Sequence, residues 1–115
     1  MTLGEQQRLF TKHIGKLIEF AYSQGFELTF GDAFRDPRLA ALNAEQKKGI
    51  ANSLHSKRLA VDFNLFKDGV FLAKSEDHKV LGEYWESLHP LCTWGGRFRP
   101  LADGNHYSMT YGGIK

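Results

Sequence analysis

One cysteine, Cys92, is all that the 115 residues contain. It cannot close an internal disulfide, and it excludes a zinc site built from clustered thiolates. Its expected role is that of a small buried hydrophobe, because nothing around it resembles the setting of a cysteine nucleophile. Long apolar runs are also missing. No stretch approaches the roughly 20 residues that a membrane span needs, so no membrane insertion is expected. The opening residues, Met1 to Arg8, lack the basic and apolar blocks of a secretory signal. The expectation is synthesis in a cytoplasm, with action on any outside target depending on release by another protein. Charge of one sign is scarce too. Fifteen Lys and Arg face thirteen Asp and Glu, a net charge of +2, and the cations are scattered. No nucleic-acid partner is expected from such a balance, although an anionic polymer is tolerated. Repeats, linkers and low-complexity segments are absent.

What is present is ordinary for a globular chain: 42% hydrophobic and 24% charged residues. That is enough apolar surface for one core, and 1–115 is read as a single domain acting as a monomer. Residues Leu3 to Gln24 carry an amphipathic helical pattern, with Phe10, Ile14, Leu17, Ile18 and Ala21 on one face. Thr2 is the expected cap and Gly25 the stop. His13 sits among polar neighbours and reads as solvated. Phe26 to Phe30 alternates like a half-buried strand. A second, shorter helix is expected over Pro37 to Lys48, capped by Asp36 and closed by Gly49. Leu59 to Phe66 has strand composition, and Lys67-Asp68-Gly69 marks a hairpin into a return strand, Val70 to Ala73. Ser75 is the expected cap of a further helix reaching Leu88. Its apolar face is Leu81, Tyr84, Trp85 and Leu88, with His78 and His89 as ordinary helix-end histidines and Pro90 as the stop. Cys92 to Phe98 is a glycine-punctuated loop or strand, and His106 to Tyr111 a last strand. The order predicts an α+β fold: a small, mainly antiparallel sheet packed with about three helices.

Within this frame Asp62 is out of place, because a carboxylate inside an apolar strand needs a partner. His55 lies seven positions earlier. On a helix, residues seven apart are separated by about 10 Å of rise, and on one straight strand they face opposite ways. The two can share a metal ion only if the chain bends between them, and Ser56-Lys57-Arg58 is the place for that bend. His106, heading the last strand, would be a third ligand. Two histidines and a carboxylate leave one tetrahedral position open, the pattern of catalytic rather than structural zinc. Asp103, three residues before His106 across a Gly-Asn turn, is placed to serve as general base. Arg35, just beyond the first strand, is a candidate cation for charge developing on a carbonyl oxygen. On spacing alone, Asp62 also reads as an edge-strand aspartate facing solvent, and Asp103-Gly104 as a common turn.

The pattern Ser53-x-His55, Ala60-Val61-Asp62, Trp94-Gly95-Gly96 and Asp103-x-x-His106-Tyr107 resembles the D-alanyl-D-alanine carboxypeptidase (VanY-type) family of zinc peptidases. That family includes small L-alanyl-D-glutamate endopeptidases used as phage endolysins, and it shares its fold with the Hedgehog signalling domain. The resemblance implies a Zn2+ cofactor held by His55, Asp62 and His106, with Asp103 as the catalytic acid–base group and Arg35 as a contact to substrate or to the tetrahedral intermediate. It places Ser53, Trp94 and Tyr107 beside these groups, as substrate contacts or supports. The implied substrate is a peptidoglycan stem peptide, cut in the periplasm. The aspartate at Asp103, where the carboxypeptidases commonly have glutamate, tilts the resemblance toward an endopeptidase. The alternatives are a D-alanyl-D-alanine carboxypeptidase or dipeptidase, and a non-catalytic wall-binding or phage structural module. Arg58 departs from the glycine often found in the family, and it stands in the turn that must bring His55 to Asp62.

Overall fold

The computed structural model describes residues 1–36, Arg38 and 53–115. The first helix, α1 (Leu3–Ser23), starts as its sequence predicts. The Thr2 hydroxyl accepts the Glu5 N–H at 3.1 Å, and the Glu5 carboxylate accepts the Thr2 N–H at 3.0 Å. This reciprocal pair satisfies two donors that the first turn would otherwise leave open. Gly25, at φ +85°, takes the left-handed position that ends the helix cheaply. The buried stripe is Gln6, Phe10, His13, Ile14, Leu17 and Ala21. Gln6 is tolerated there because its amide donates to the Thr110 carbonyl at 2.8 Å.

Five antiparallel strands follow: β1 (Phe26–Phe30), β2 (Ala60–Lys67), β3 (Val70–Leu72), β4 (Cys92–Trp94) and β5 (His106–Met109). The path runs β1-β2-β5-β4, with β3 also paired to β2. β2 is therefore the central strand. One of its edges carries β1, from Phe30↔Phe63 to Phe26↔Lys67. Its other edge is shared. β5 pairs Ala60, Val61 and Asp62, whereas β3 pairs Leu65, Phe66 and Lys67. The β2–β3 hairpin turns through Asp68 and Gly69, both at positive φ, the geometry that matches the twist of the flanking strands. The second helix, α2 (Lys79–Leu88), packs on β4 and against α1. Its Trp85 is fully buried, and the indole N–H donates to the Thr93 and Ser108 carbonyls at 3.1 and 3.0 Å. Truncating such a residue typically costs about 3–5 kcal/mol. On the rim of the same helix pair, Tyr84 stacks on Phe20 at 4.0 Å.

The α+β expectation holds, with two helices among the described residues. The stretch expected as a helix over 37–48 lies outside them apart from Arg38, whose backbone N–H donates to Asp36 Oδ1 at 2.7 Å. Three local expectations are corrected. His13 is not solvated: it is buried between α1 and the end of α2, its ring 6.1 Å from that of His89. His78 is not a surface histidine either. It is 3% exposed and its Nδ1 shares a hydrogen bond with the Tyr107 hydroxyl at 2.7 Å, and burial pulls its pKa down to about 4. Ser75 does not cap α2. It begins a 3-10 turn, Ser75–His78, that leads into the helix, and its hydroxyl accepts the Gly104 N–H at 2.9 Å. In each case the helix periodicity was right, and packing from a distant strand or helix decided the side chain's surroundings. Cys92 is buried as expected, and burial pushes its thiol up to about 12.

Candidate metal centre

The bend required between His55 and Asp62 is present. Ser53 Oγ accepts the His55 N–H at 3.1 Å and opens a 3-10 turn, Leu54–Lys57. Arg58 then closes it in the left-handed region, at φ 57° and ψ 37°. Its N–H donates to the His55 carbonyl, and that of Leu59 to Leu54 at 3.0 Å. A non-glycine residue there costs about 1–2 kcal/mol. The guanidinium of Arg58 lies 4.2 Å from the centre of the Phe34 ring, a contact that offsets part of the strain. The chain thus reverses into β2 with Asp62 facing back toward His55. His106 arrives independently, as the register partner of Asp62 in the β2–β5 ladder. Paired residues project from the same face, so the two side chains must meet.

The three ligand atoms lie within 4.8 Å of one another. His55 Nε2 is 3.4 Å and His106 Nδ1 3.5 Å from Asp62 Oδ1. Atoms bound at about 2.1 Å around a tetrahedral ion sit roughly 3.4 Å apart. The donors therefore fit zinc. The hydrogen bonding says the same. Asp62 Oδ1 is buried and accepts no hydrogen bond, a state that costs energy unless a cation fills the gap. His55 Nδ1 lies 3.1 Å from the Ala33 carbonyl and donates its proton there, which leaves Nε2 bare on the side of Asp62. In the metal-free charge balance, burial alone would raise the Asp62 pKa, but His106 and His55 outweigh it and hold the carboxyl at about 2. For His55, burial pulls down, and the adjacent Asp62 carboxylate outweighs it, so the net shift is upward.

Asp103 stands beside this group. Partial burial raises its pKa, and the Asp62 charge pushes the same way. Its backbone is fixed at both ends: its N–H donates to the Gly95 carbonyl at 2.8 Å, and its own carbonyl accepts the His106 N–H at 3.1 Å. This close approach requires Gly95, because a Cβ there would collide with the Asp103 carbonyl oxygen and would lie 2.7 Å from His106 Cβ. Arg35 reaches the site from the opposite strand end. Its N–H donates to the His55 carbonyl at 3.2 Å, and its guanidinium pairs with the exposed Asp32 at 2.9 Å. This pair engages one guanidinium nitrogen, and the other two have no hydrogen-bond partner among the described residues.

The structure brings His55, Asp62, His106, Asp103 and Arg35 to one place, and it gives the other three expected site residues supporting positions. Ser53 sets the His55 turn. Trp94 is 4% exposed, and its indole donates to the Gly104 carbonyl at 2.7 Å, beside Asp103. Tyr107 has no exposed surface, and it points into the core toward His78. Neither Trp94 nor Tyr107 offers substrate a surface, so of the two roles the resemblance implies, contact or support, their burial leaves support from behind. The role of Gly95 was missed by sequence reasoning, although the Trp94-Gly95-Gly96 triplet carried the signal. No helix among the described residues is long and apolar enough to cross a membrane.

Comparison with known proteins agrees with this geometry. The D-alanyl-D-alanine carboxypeptidase family profile matches residues 46–109, which include His55, Asp62, Asp103 and His106. No curated protein matches. Among solved structures, the L-Ala D-Glu endopeptidase ChiX of Serratia marcescens superposes with a TM-score of 0.72 at 16% identity, covering 93% of this chain and 85% of that one. At that identity the likeness is one of fold. The profile match spans more than half of the sequence and includes the metal-binding group, and on it the chain belongs to the D-alanyl-D-alanine carboxypeptidase family, as a metallopeptidase acting on peptidoglycan.

Proposed function

We propose that the chain hydrolyses the L-alanyl-D-glutamate bond of peptidoglycan stem peptides, as a monomeric phage endolysin. It would be made in the host cytoplasm and reach the wall through a separate pore-forming protein. The observation that carries the chemistry is the orphaned Asp62 oxygen between two histidine nitrogens, with Asp103 next to it. Zinc held by His55, Asp62 and His106 would supply Lewis acidity toward the substrate carbonyl and a lowered water pKa. The chain's own residues do the rest. Asp103 takes the proton of the attacking water. Its raised pKa helps it keep that proton long enough to pass it to the departing amine. Arg35 steadies the charge that gathers on the carbonyl oxygen. His55 is held to one tautomer by Ala33, so its bare nitrogen needs no rearrangement. The endopeptidase reading is supported by an aspartate at position 103 and by the fold of the ChiX endopeptidase.

Digestion of purified peptidoglycan, with and without chelator, tests this reading. Release of stem peptides from the glycan, seen by mass spectrometry and stopped by chelator, is expected. Loss of terminal D-alanine alone would replace it with carboxypeptidase activity. Asp103→Ala should abolish turnover and keep its zinc. Lysis of sacculi by that variant would overturn the acid–base role.

A further inference from the structure

Asp103 also borders a cavity of about 180 Å³ that none of the three metal-binding residues lines. Its origin is the shared edge of β2. Between the β5 pairing, which ends at Asp62, and the β3 pairing, which begins at Leu65, Phe63 and Asn64 have no strand partner on that side. The Phe63 N–H turns instead to the Asn105 carbonyl at 3.0 Å. The gap that opens there is walled by Asn105, Lys74 and His78 as well as Asp103. Lys74 is exposed, and its ammonium makes no ion pair among the described residues. His78 is buried, and its Nδ1 is engaged with the Tyr107 hydroxyl at 2.7 Å, which leaves Nε2 as the ring nitrogen free for a ligand. A carboxylate bound there selects the tautomer with the proton on Nε2 and Tyr107 donating to Nδ1. The cavity therefore has an unpaired cation and an imidazole on its walls, with Asp103 as its one acid.

We infer that this cavity is the subsite for the residue on the amine side of the scissile bond, and that Lys74 and His78 select a free carboxylate on that residue. The inference rests on the reading of Asp103 as the group that protonates the departing amine. If it does so, the residue carrying that amine lies beside Asp103, and this cavity is the space next to it. For an L-alanyl-D-glutamate bond the residue is the glutamate, whose free carboxylate is the complement of a cation and an N–H donor. Lys74 is a specificity residue here, and His78 the imidazole behind it whose Nε2 donates once a carboxylate is bound.

The test uses two peptides that differ only at the glutamate's free carboxylate, present in one and converted to the carboxamide in the other. The wild type should prefer the acid by roughly tenfold in kcat/KM, the value of one charge-assisted hydrogen bond. Lys74→Gln, a surface change that leaves the core intact, should collapse that ratio toward one, with the effect in KM. An unaltered ratio, or an equal fall on both peptides, overturns the subsite. A binding readout separates this outcome from failure of the cleavage reading. The ring nitrogen signals of His78 in zinc-loaded protein should shift when the amine-side glutamyl product is added, and not with its carboxamide. If neither peptide is cut and the acid-specific shift persists, the cleavage reading falls and the subsite stands. If the shift is absent, the subsite falls.

Discussion

His106 and Tyr107 are neighbours on β5, and their side chains leave the strand in opposite directions. On one side, His106 and Asp62 meet with polar atoms left over: Asp62 Oδ1 and His106 Nε2 are buried without a hydrogen-bond partner. On the other, Tyr107 and His78 pair at 2.7 Å deep in the core. Both clusters are polar and buried, and both contain a histidine. The difference is satisfaction. Unpaired buried groups cost about 1–3 kcal/mol each. His13 Nδ1, Ser56 Oγ and Ser108 Oγ are also buried without a partner. What sets the candidate metal centre apart from the Tyr107–His78 pair is that its unpaired atoms belong to a group of three possible ligands converging within 4.8 Å.

The contrast is easiest to break on the unsatisfied side. Asp62→Ala should leave the protein folded with zinc stoichiometry near zero and turnover down by at least about a thousandfold. Stoichiometric zinc in that variant, measured by atomic absorption, would remove Asp62 from the ligand set. Gly95→Ala should come next, because the added methyl must displace Asp103 or His106. We expect about 1–3 kcal/mol of destabilisation and a loss in kcat of roughly a hundredfold, with zinc retained.

The satisfied side should respond in stability. Tyr107→Phe leaves His78 Nδ1 without its partner and should cost about 1–3 kcal/mol in urea denaturation. The pH dependence sharpens the point. His78 has its folded pKa lowered to about 4 from an ordinary 6.5. Between those values the unfolded chain binds the proton and the folded one does not. His78 therefore contributes stability that is complete above about pH 6.5 and lost as the pH falls toward 4, at most about 3 kcal/mol. His78→Asn should flatten that part of the profile in metal-free protein. An unaltered slope would assign the loss to other groups. Smallest is Arg58→Gly. Relief of left-handed strain and loss of the Phe34 contact and of chain stiffness nearly cancel, so a change within about 1 kcal/mol is expected.

These regions also differ in how far the sequence disclosed them. α1, the β2–β3 hairpin and the convergence of His55, Asp62 and His106 were legible, because capping residues, periodicity and side-chain chemistry are local or carried by motifs. Asp62 showed itself as a carboxylate in an apolar run. His13, His78 and Ser75 were misread for one physical reason: their surroundings come from chain segments far away in sequence. His78 is partnered 29 positions on, and Ser75 likewise by Gly104. A buried histidine in a polar-looking segment leaves no local trace. Arg58 stood out as a departure from a glycine often found in the family, and the structure places it in the left-handed region, which glycine adopts without steric penalty.

The Asp62↔His106 pairing has a consequence for assembly. β-strand side chains alternate, so a one-residue slip between β2 and β5 would set Val61 or Phe63 opposite His106. Two of the three donors would then face away from each other, and no ion could be held. A cation bound by this group would therefore act as a checkpoint on strand registration. Only chains that had zipped the central ladder correctly would acquire the added stability of a filled centre, and misaligned ones would remain the more readily unfolded and free to try again.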